Sequence, residues 1–211
     1  MSWPELAAAT LENEHALLRP ITGQDRAGLH AIAMDPDIWR YFVSRVETDA
    51  DFDAFFDATI DDHLTGRRAV YHITDKRCGP QGRPAGSMSF GNMAERDGRL
   101  EIGWSWLGRD FRGTGLNRWA KYLLLEHAFE RMDAERVEFK TDQLNEQARR
   151  GLRNIGAVEE GTLRSFNPMP DGRRRDAVFY SVLRAEWPAV KQRLAAGERL
   201  AAGERLAAGS G

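Results

Sequence analysis

The sequence predicts an α/β domain of the mixed α+β kind, built on a mostly antiparallel sheet, and three observations carry that reading. Three strand candidates, 69–74, 85–92 and 99–107, follow one another across Gly- and Pro-containing turns, the pattern of an antiparallel meander. The apolar period then turns helical, with Leu116, Ala120, Leu123, Leu124 and Ala128 recurring at three and four residues. Two last strands frame the turn Pro170-Asp171-Gly172.

The remaining elements fall into place around these. A strand over 15–19 is closed by Pro20, and a helix from about Asp25 to Met34 carries Ala27, Leu29, Ile32 and Ala33 on one stripe until Asp35-Pro36 stops it. A second helix over 50–64 spaces Phe52, Phe55, Phe56, Ile60 and Leu64 helically, among aspartates 49, 51, 53, 57, 61 and 62. A strand over 136–141 precedes a short helix holding Ala148, Leu152 and Ile155, with Gly156 as its stop. After Pro188 the unit Leu-Ala-Ala-Gly-Glu-Arg repeats from Leu194 and Leu200. A step of six turns a helix by roughly 240°, so these leucines build no stripe. The expected organisation is one domain over 1–188 and a frayed low-complexity tail over 189–211.

Composition narrows the function. With 211 residues, 42% hydrophobic and 29% charged residues and a formal charge of -2, the chain suits one globular core and lacks the basic surplus that holds a phosphate backbone, so no nucleic-acid partner is expected. Cys78 is alone, which excludes an internal disulfide. The start, Met1 to Leu11, has no basic and apolar leader, and no run reaches membrane-spanning length, so the expected compartment is the cytoplasm and no membrane partner is expected. Histidines 15, 30, 63, 72 and 127 show no ligand spacing, so no metal is assigned.

The segment Arg109-Asp110-Phe111-Arg112-Gly113-Thr114-Gly115-Leu116-Asn117-Arg118 joins a strand to the amphipathic helix. Its glycines let backbone approach a ligand closely, and the helix start aims unpaired N–H groups and a positive dipole end at it. Arg109, Arg112 and Arg118 add full charges, which suits a pyrophosphate. The loop is no Walker motif, because Gly-Lys-Ser/Thr is missing, and no dinucleotide fingerprint, because the third glycine is missing.

Arg112-Gly113-Thr114-Gly115-Leu116-Asn117 resembles the CoA-pyrophosphate signature of the GNAT acetyltransferases, with Asn117 where the pattern ends in Gly or Ala. Arg136 to Asp142, Asn145 to Ala148 and Ile155-Gly156-Ala157 are similar to the second motif of that family. Asp171-Gly-Arg, Arg175-Asp176 and Tyr180 are similar to its closing hairpin, and Asp35-Pro-Asp-Ile-Trp-Arg-Tyr41 resembles the RimJ/RimL branch. The resemblance implies a sheet of about seven strands splayed between the fourth and fifth, flanked by about four helices, with the pantetheine arm of acetyl-CoA in the gap.

It implies further that the backbone of Trp106 and Leu107 holds that arm, that Asn145 touches it and that Arg149 reaches the cofactor. The acetyl group would pass directly to a primary amine, on a peptide N-terminus or a small molecule, and a homodimer is allowed. The branch's usual tyrosine acid is matched by Leu152, so no acid is assigned. An α-amino group, with pKa about 7.7 to 8.0, loses its proton more readily than a lysine at about 10.4. Glu101 is the candidate base, with Ser105 on the same strand face by simple alternation; the alternative for Glu101 is a salt bridge to a neighbouring strand. The aspartates of 49–62 are read either as a solvated helix face or as an attractor for a cationic amine, and Arg173 to Arg175 as a solvated turn. A CoA-binding sensor without turnover is the alternative function.

Overall fold

The fold is described for residues 1–196 of a computed structural model. Eight strands form one sheet: β1 (Leu11–Glu12), β2 (Ala16–Pro20), β3 (Arg68–Asp75), β4 (Arg83–Ala94), β5 (Arg99–Leu107), β6 (Arg136–Asp142), β7 (Val158–Pro168) and β8 (Arg174–Leu183). Their spatial order is β1-β2-β3-β4-β5-β6-β8-β7, and every neighbouring pair is antiparallel except β5 with β6. The helices are α1 (Trp3–Leu6), α2 (Arg26–Ala33), α3 (Asp49–Leu64), α4 (Leu116–Glu130) and α5 (Glu146–Ile155), followed by a helical stretch over 187–196.

Two apolar layers cover the sheet. On one face α4, α5 and residues 187–196 pack over Leu100, Ile102, Val137, Phe139, Val178 and Tyr180. On the other, α2 and α3 place Leu29, Ala33, Phe52 and Phe56 against Val70 and Trp106. The mixed, mostly antiparallel GNAT architecture expected from the sequence is therefore present, with eight strands because Leu11–Glu12 adds a short edge pair that is too brief to show a periodic signal.

The tail departs from the sequence reading. Trp187, Val190 and Leu194 stand at i, i+3 and i+7, and all three are buried, so the helix runs through position 188 and holds residues 189–196 against the core. Leu194, the first repeated leucine, belongs to this stripe, and the rest of the tail, 197–211, lies outside the described residues.

The feature that shapes the site is the parallel pair. β5 and β6 match only at Arg99↔Arg136, Leu100↔Val137 and Glu101↔Glu138, and the register ends there. From Ile102 onward the two strands part, opening the V expected between them.

Candidate functional site

Two bulges deform the strands beside the V. Between Ser87↔Trp106 and Ser89↔Gly103, β5 holds one residue more than β4, and Trp104 takes φ 49°. Between Gly91↔Glu101 and Ala94↔Arg99 the extra residue lies in β4, where Asn92 takes φ 48°. Gly91 makes the first bulge possible, since a Cβ there would lie 2.3 Å from the Trp104 ring.

The bulge corrects the sequence reading of the strand faces. Leu100 and Ile102 face α4, so Glu101 faces α2 and α3; beyond the bulge Trp106 joins Glu101's side and Leu107 returns to that of α4. Ser105 therefore lies on the opposite face from Glu101, half-buried, with its Oγ donating to the Gly103 carbonyl at 3.4 Å. Period-two alternation fails wherever one extra residue enters a strand.

Glu101 sits at the apex of the V, where pairing with β6 ends, and is 5% exposed. Its Oε2 accepts from Asn92 Nδ2 at 2.7 Å and from Lys140 Nζ at 3.3 Å. Oε1 lies over Gly103, 2.8 Å from where a Cβ would stand, so the missing side chain is what gives the carboxylate its place. The salt bridge to a neighbouring strand is thus present, and one carboxylate oxygen lies outside it. Lys140 is also held over the rings of Phe166 and Phe179 at 5.0 and 5.7 Å.

At the other end of the V, Gly113 and Gly115 adopt φ 72° and 87°, and Gly115 caps α4. The N–H groups of Gly113, Thr114 and Gly115 meet no acceptor among the described residues, while Leu116 N reaches Thr114 Oγ1 only at 3.4 Å. A row of open amides at the start of a fifteen-residue helix is an anion cradle. Arg77, which sequence reasoning missed, shapes it: paired with Asp75 at 2.7 Å, it donates to the Thr114 carbonyl at 2.8 Å and to Thr114 Oγ1 at 3.2 Å. No local pattern links the β3–β4 turn to that loop.

The loop arginines are more engaged than expected. Arg109 pairs with Asp35 at 3.1 Å and Asp37 at 3.4 Å, and its guanidinium holds the Asp35 carboxyl below the usual carboxylate range. Arg112 donates to the Leu107 carbonyl at 3.1 Å and lies 3.6 Å from Asp35. Arg118 bonds the Leu194 carbonyl and covers the Trp119 ring at 4.7 Å. Asp35-Pro-Asp37 therefore clamps the loop, a role its sequence pattern did not announce. Asn117 Oδ1 accepts from the buried Lys121 Nζ at 2.8 Å. Of the backbone expected along the arm, the carbonyl of Trp106 faces β4 over Gly86, and that of Leu107 is taken by Arg112.

Asn145 caps α5, its Oδ1 accepting from Ala148 N at 3.0 Å. Arg149 is half-buried and reaches the Tyr180 hydroxyl at 3.3 Å and the Gln143 carbonyl at 3.2 Å. Leu152, at the matched tyrosine position, is buried in the core.

Every one of the six aspartates has a partner within the fold. Asp49 meets His30, Asp51 caps with Thr48, Asp53 and Asp57 hold Arg26, and Asp61 and Asp62 hold Arg67 and Arg68. Asp49, Asp53, Asp57 and Asp61 remain well exposed while paired, which agrees with a solvated helix face. Of the Arg173 to Arg175 run, Arg174 is exposed as a solvated turn requires, whereas Arg173 bonds Asp142 and Arg175 is 6% exposed. Among the described residues no group of three or more His, Cys, Asp and Glu is arranged to hold a metal ion, and no helix is long and apolar enough to cross a membrane.

A V-shaped gap in a mixed sheet, with open amides at one end and a buried carboxylate at its apex, has the shape and donors that suit an extended phosphate-bearing ligand. Residues 15–158 match the model of the acetyltransferase (GNAT) domain, and the chain belongs to that family, as an acetyl-CoA-dependent N-acetyltransferase. It is 28% identical over 185 residues to the "Putative ribosomal N-acetyltransferase YdaF" of Bacillus subtilis (strain 168), covering 85% of this chain and 97% of that one. It is 27% identical over 179 residues to N-acetyltransferase p20 of Bacillus licheniformis, with 84% and 98% covered. The fold is shared with Mycobacterium smegmatis RimJ in complex with CoA-disulfide, at a TM-score of 0.76, 22% identity and coverage of 94% and 98%.

Proposed function

We propose that the chain transfers an acetyl group from acetyl-CoA to a primary amine by direct attack within a ternary complex. The open amides of Gly113, Thr114 and Gly115 at the start of α4 carry this reading, because they offer a diphosphate three donors and a dipole end without any rearrangement. Arg109, Arg112 and Arg118 border that cradle, and the pantetheine arm runs from it along Trp106 and Leu107 toward Glu101. Asn145 keeps its amide NH2 for the arm after capping α5, and Arg149 stands one turn further on. The RimJ structure that shares this fold is a complex with CoA-disulfide, which is consistent with a CoA ligand.

The amine arrives on the α2–α3 side and must be neutral to attack the thioester. Glu101 Oε1, outside the bonds to Asn92 and Lys140, accepts its proton directly or through one water. Peptide N-termini and small amines are both served by this chemistry, and the ribosomal description of the YdaF relative favours testing N-termini first.

Acetyl-CoA at about 100 times its dissociation constant is expected to stabilise the folded protein by about 2.7 kcal/mol. Calorimetry that detects no uptake of acetyl-CoA or CoA removes the proposal. With binding established, thiol release is measured over free amino acids, polyamines, aminoglycosides and short peptides. Glu101→Gln should lower kcat/KM by about 100-fold on the best acceptor, most severely at low pH, where the neutral amine is scarcest. A pH-independent change of less than a few-fold assigns Glu101 to its ion pair alone.

A further inference from the structure

Among the described residues, the Arg175 guanidinium is buried without a bonded partner. It is 6% exposed on β8, its Nε has neither solvent nor a hydrogen-bond partner, and among the described residues no carboxylate lies within ion-pair distance of it. Burial pulls its pKa below the ordinary arginine value, against the opposing influence of Asp142 and Glu101 and with that of Arg173. Both carboxylates are committed elsewhere. Asp142 is bonded by Arg173 and accepts from Leu144 N at 2.9 Å, and Glu101 is held by Asn92 and Lys140.

A buried guanidinium with no bonded anion and an unpartnered Nε is costly to hold, and a ligand carboxylate would supply the acceptor it lacks. Its location says which molecule brings it. Phe179 is registered with Lys140, and Arg175 follows two steps earlier along the same face of β8, so its charge stands on the side of the sheet that carries Glu101. The same hairpin walls a cleft of about 340 Å3 with Met169, Pro170 and Asp171 opposite Trp39 and Phe42, and Trp39 packs on Trp106 at 5.7 Å between ring centroids.

We propose that Arg175 binds a carboxylate of the acetyl acceptor, which makes the acceptor class amines that carry an acidic group. This rests on the acetyl-transfer reading above. The carboxylate is either the α-carboxylate of a free amino acid or the side chain of an acidic residue at a peptide N-terminus.

The test compares matched acceptors: each amino acid with its own amide, and peptides beginning with Asp or Glu with those beginning with Asn or Gln. In the wild type, kcat/KM should favour the carboxylate member by about 10- to 100-fold, the size of a charge-assisted contact. Arg175→Met should abolish the preference, with the amide and carboxylate members brought to similar kcat/KM, and Arg175→Lys should keep part of it. Calorimetry of the N-acetylated products, acid against amide, in the presence of CoA supplies a readout independent of turnover. A preference among the free amino acids assigns the α-carboxylate, and one confined to the peptides assigns the acidic side chain. No preference in any wild-type pair overturns the proposal, whether or not the amines are turned over, and needs no variant to fold. Binding of acetyl-CoA without that preference sinks this inference alone, whereas absence of acetyl-CoA binding sinks the reading beneath it.

Discussion

Gly86→Ala is expected to lower the melting temperature by about 10 °C, from a destabilisation of about 3 kcal/mol or more. Gly86 pairs with Leu107 across β4 and β5 at φ 152°, a conformation that side chains rarely adopt. A Cβ there would stand 2.0 Å from the Trp106 carbonyl oxygen and 2.9 Å from Leu107 Cα. Both obstacles are backbone, so no rotamer change can relieve them, and β5 must shift where it borders the V. Acetyl transfer should fall with stability, because that stretch sits between the cradle and Glu101. Thermal unfolding of the purified variant decides the matter: a melting temperature within about 2 °C of the wild type would show that the strands close less tightly here.

Lys121→Met should raise stability at neutral pH by roughly 1 to 3 kcal/mol, with a pH dependence whose sign is fixed. Lys121 lies one turn behind the cradle on α4, 8% exposed, with Asn117 Oδ1 on its ammonium group, and burial pushes its pKa down from 10.5 to about 8. Between about 8 and 10.5 the unfolded chain holds a proton that the folded chain has released, so wild-type stability gains with rising pH over that interval. Below pH 8 both states are charged and the folded one carries the full cost, about 3 kcal/mol at 1.36 kcal/mol per pH unit, part of which the Asn117 bond already offsets. The methionine variant removes that cost, so its advantage should be largest at pH 7 and fade by pH 10. Urea titrations of both proteins at pH 7, 9 and 10 measure the difference directly. A variant less stable than wild type at pH 7 would show that the lysine is better solvated than its burial indicates.

Asn117 gains a rationale from the same pair. It stands where the pattern of the family ends in Gly or Ala, and its carbonyl oxygen supplies the one hydrogen-bond acceptor shown for the Lys121 ammonium. Such a substitution could be seen in the sequence as a departure, but its purpose depended on a lysine whose burial follows from the packing of α4 on the sheet.

What the sequence by itself determined is the local part of the molecule. The 3.6-residue stripe of α4, the Gly156 stop, the turn at Pro170-Asp171-Gly172 and the loop over 112–117 are set by neighbours in the chain, and each is found where the residues put it. The splayed sheet was legible through the family resemblance and not through any period. Tertiary structure alone decided the rest. One extra residue at Trp104 moved Ser105 to the far face, and Trp187, Val190 and Leu194 became a stripe only because a core was there to receive it. Five of the six aspartates of α3 found basic side chains and Asp51 found Thr48, whereas Arg175 was buried without a carboxylate partner. The reason is common to all four: side-chain alternation and helical period follow from bonds between adjacent residues, whereas burial and ion pairing depend on which distant strands and helices close upon a group.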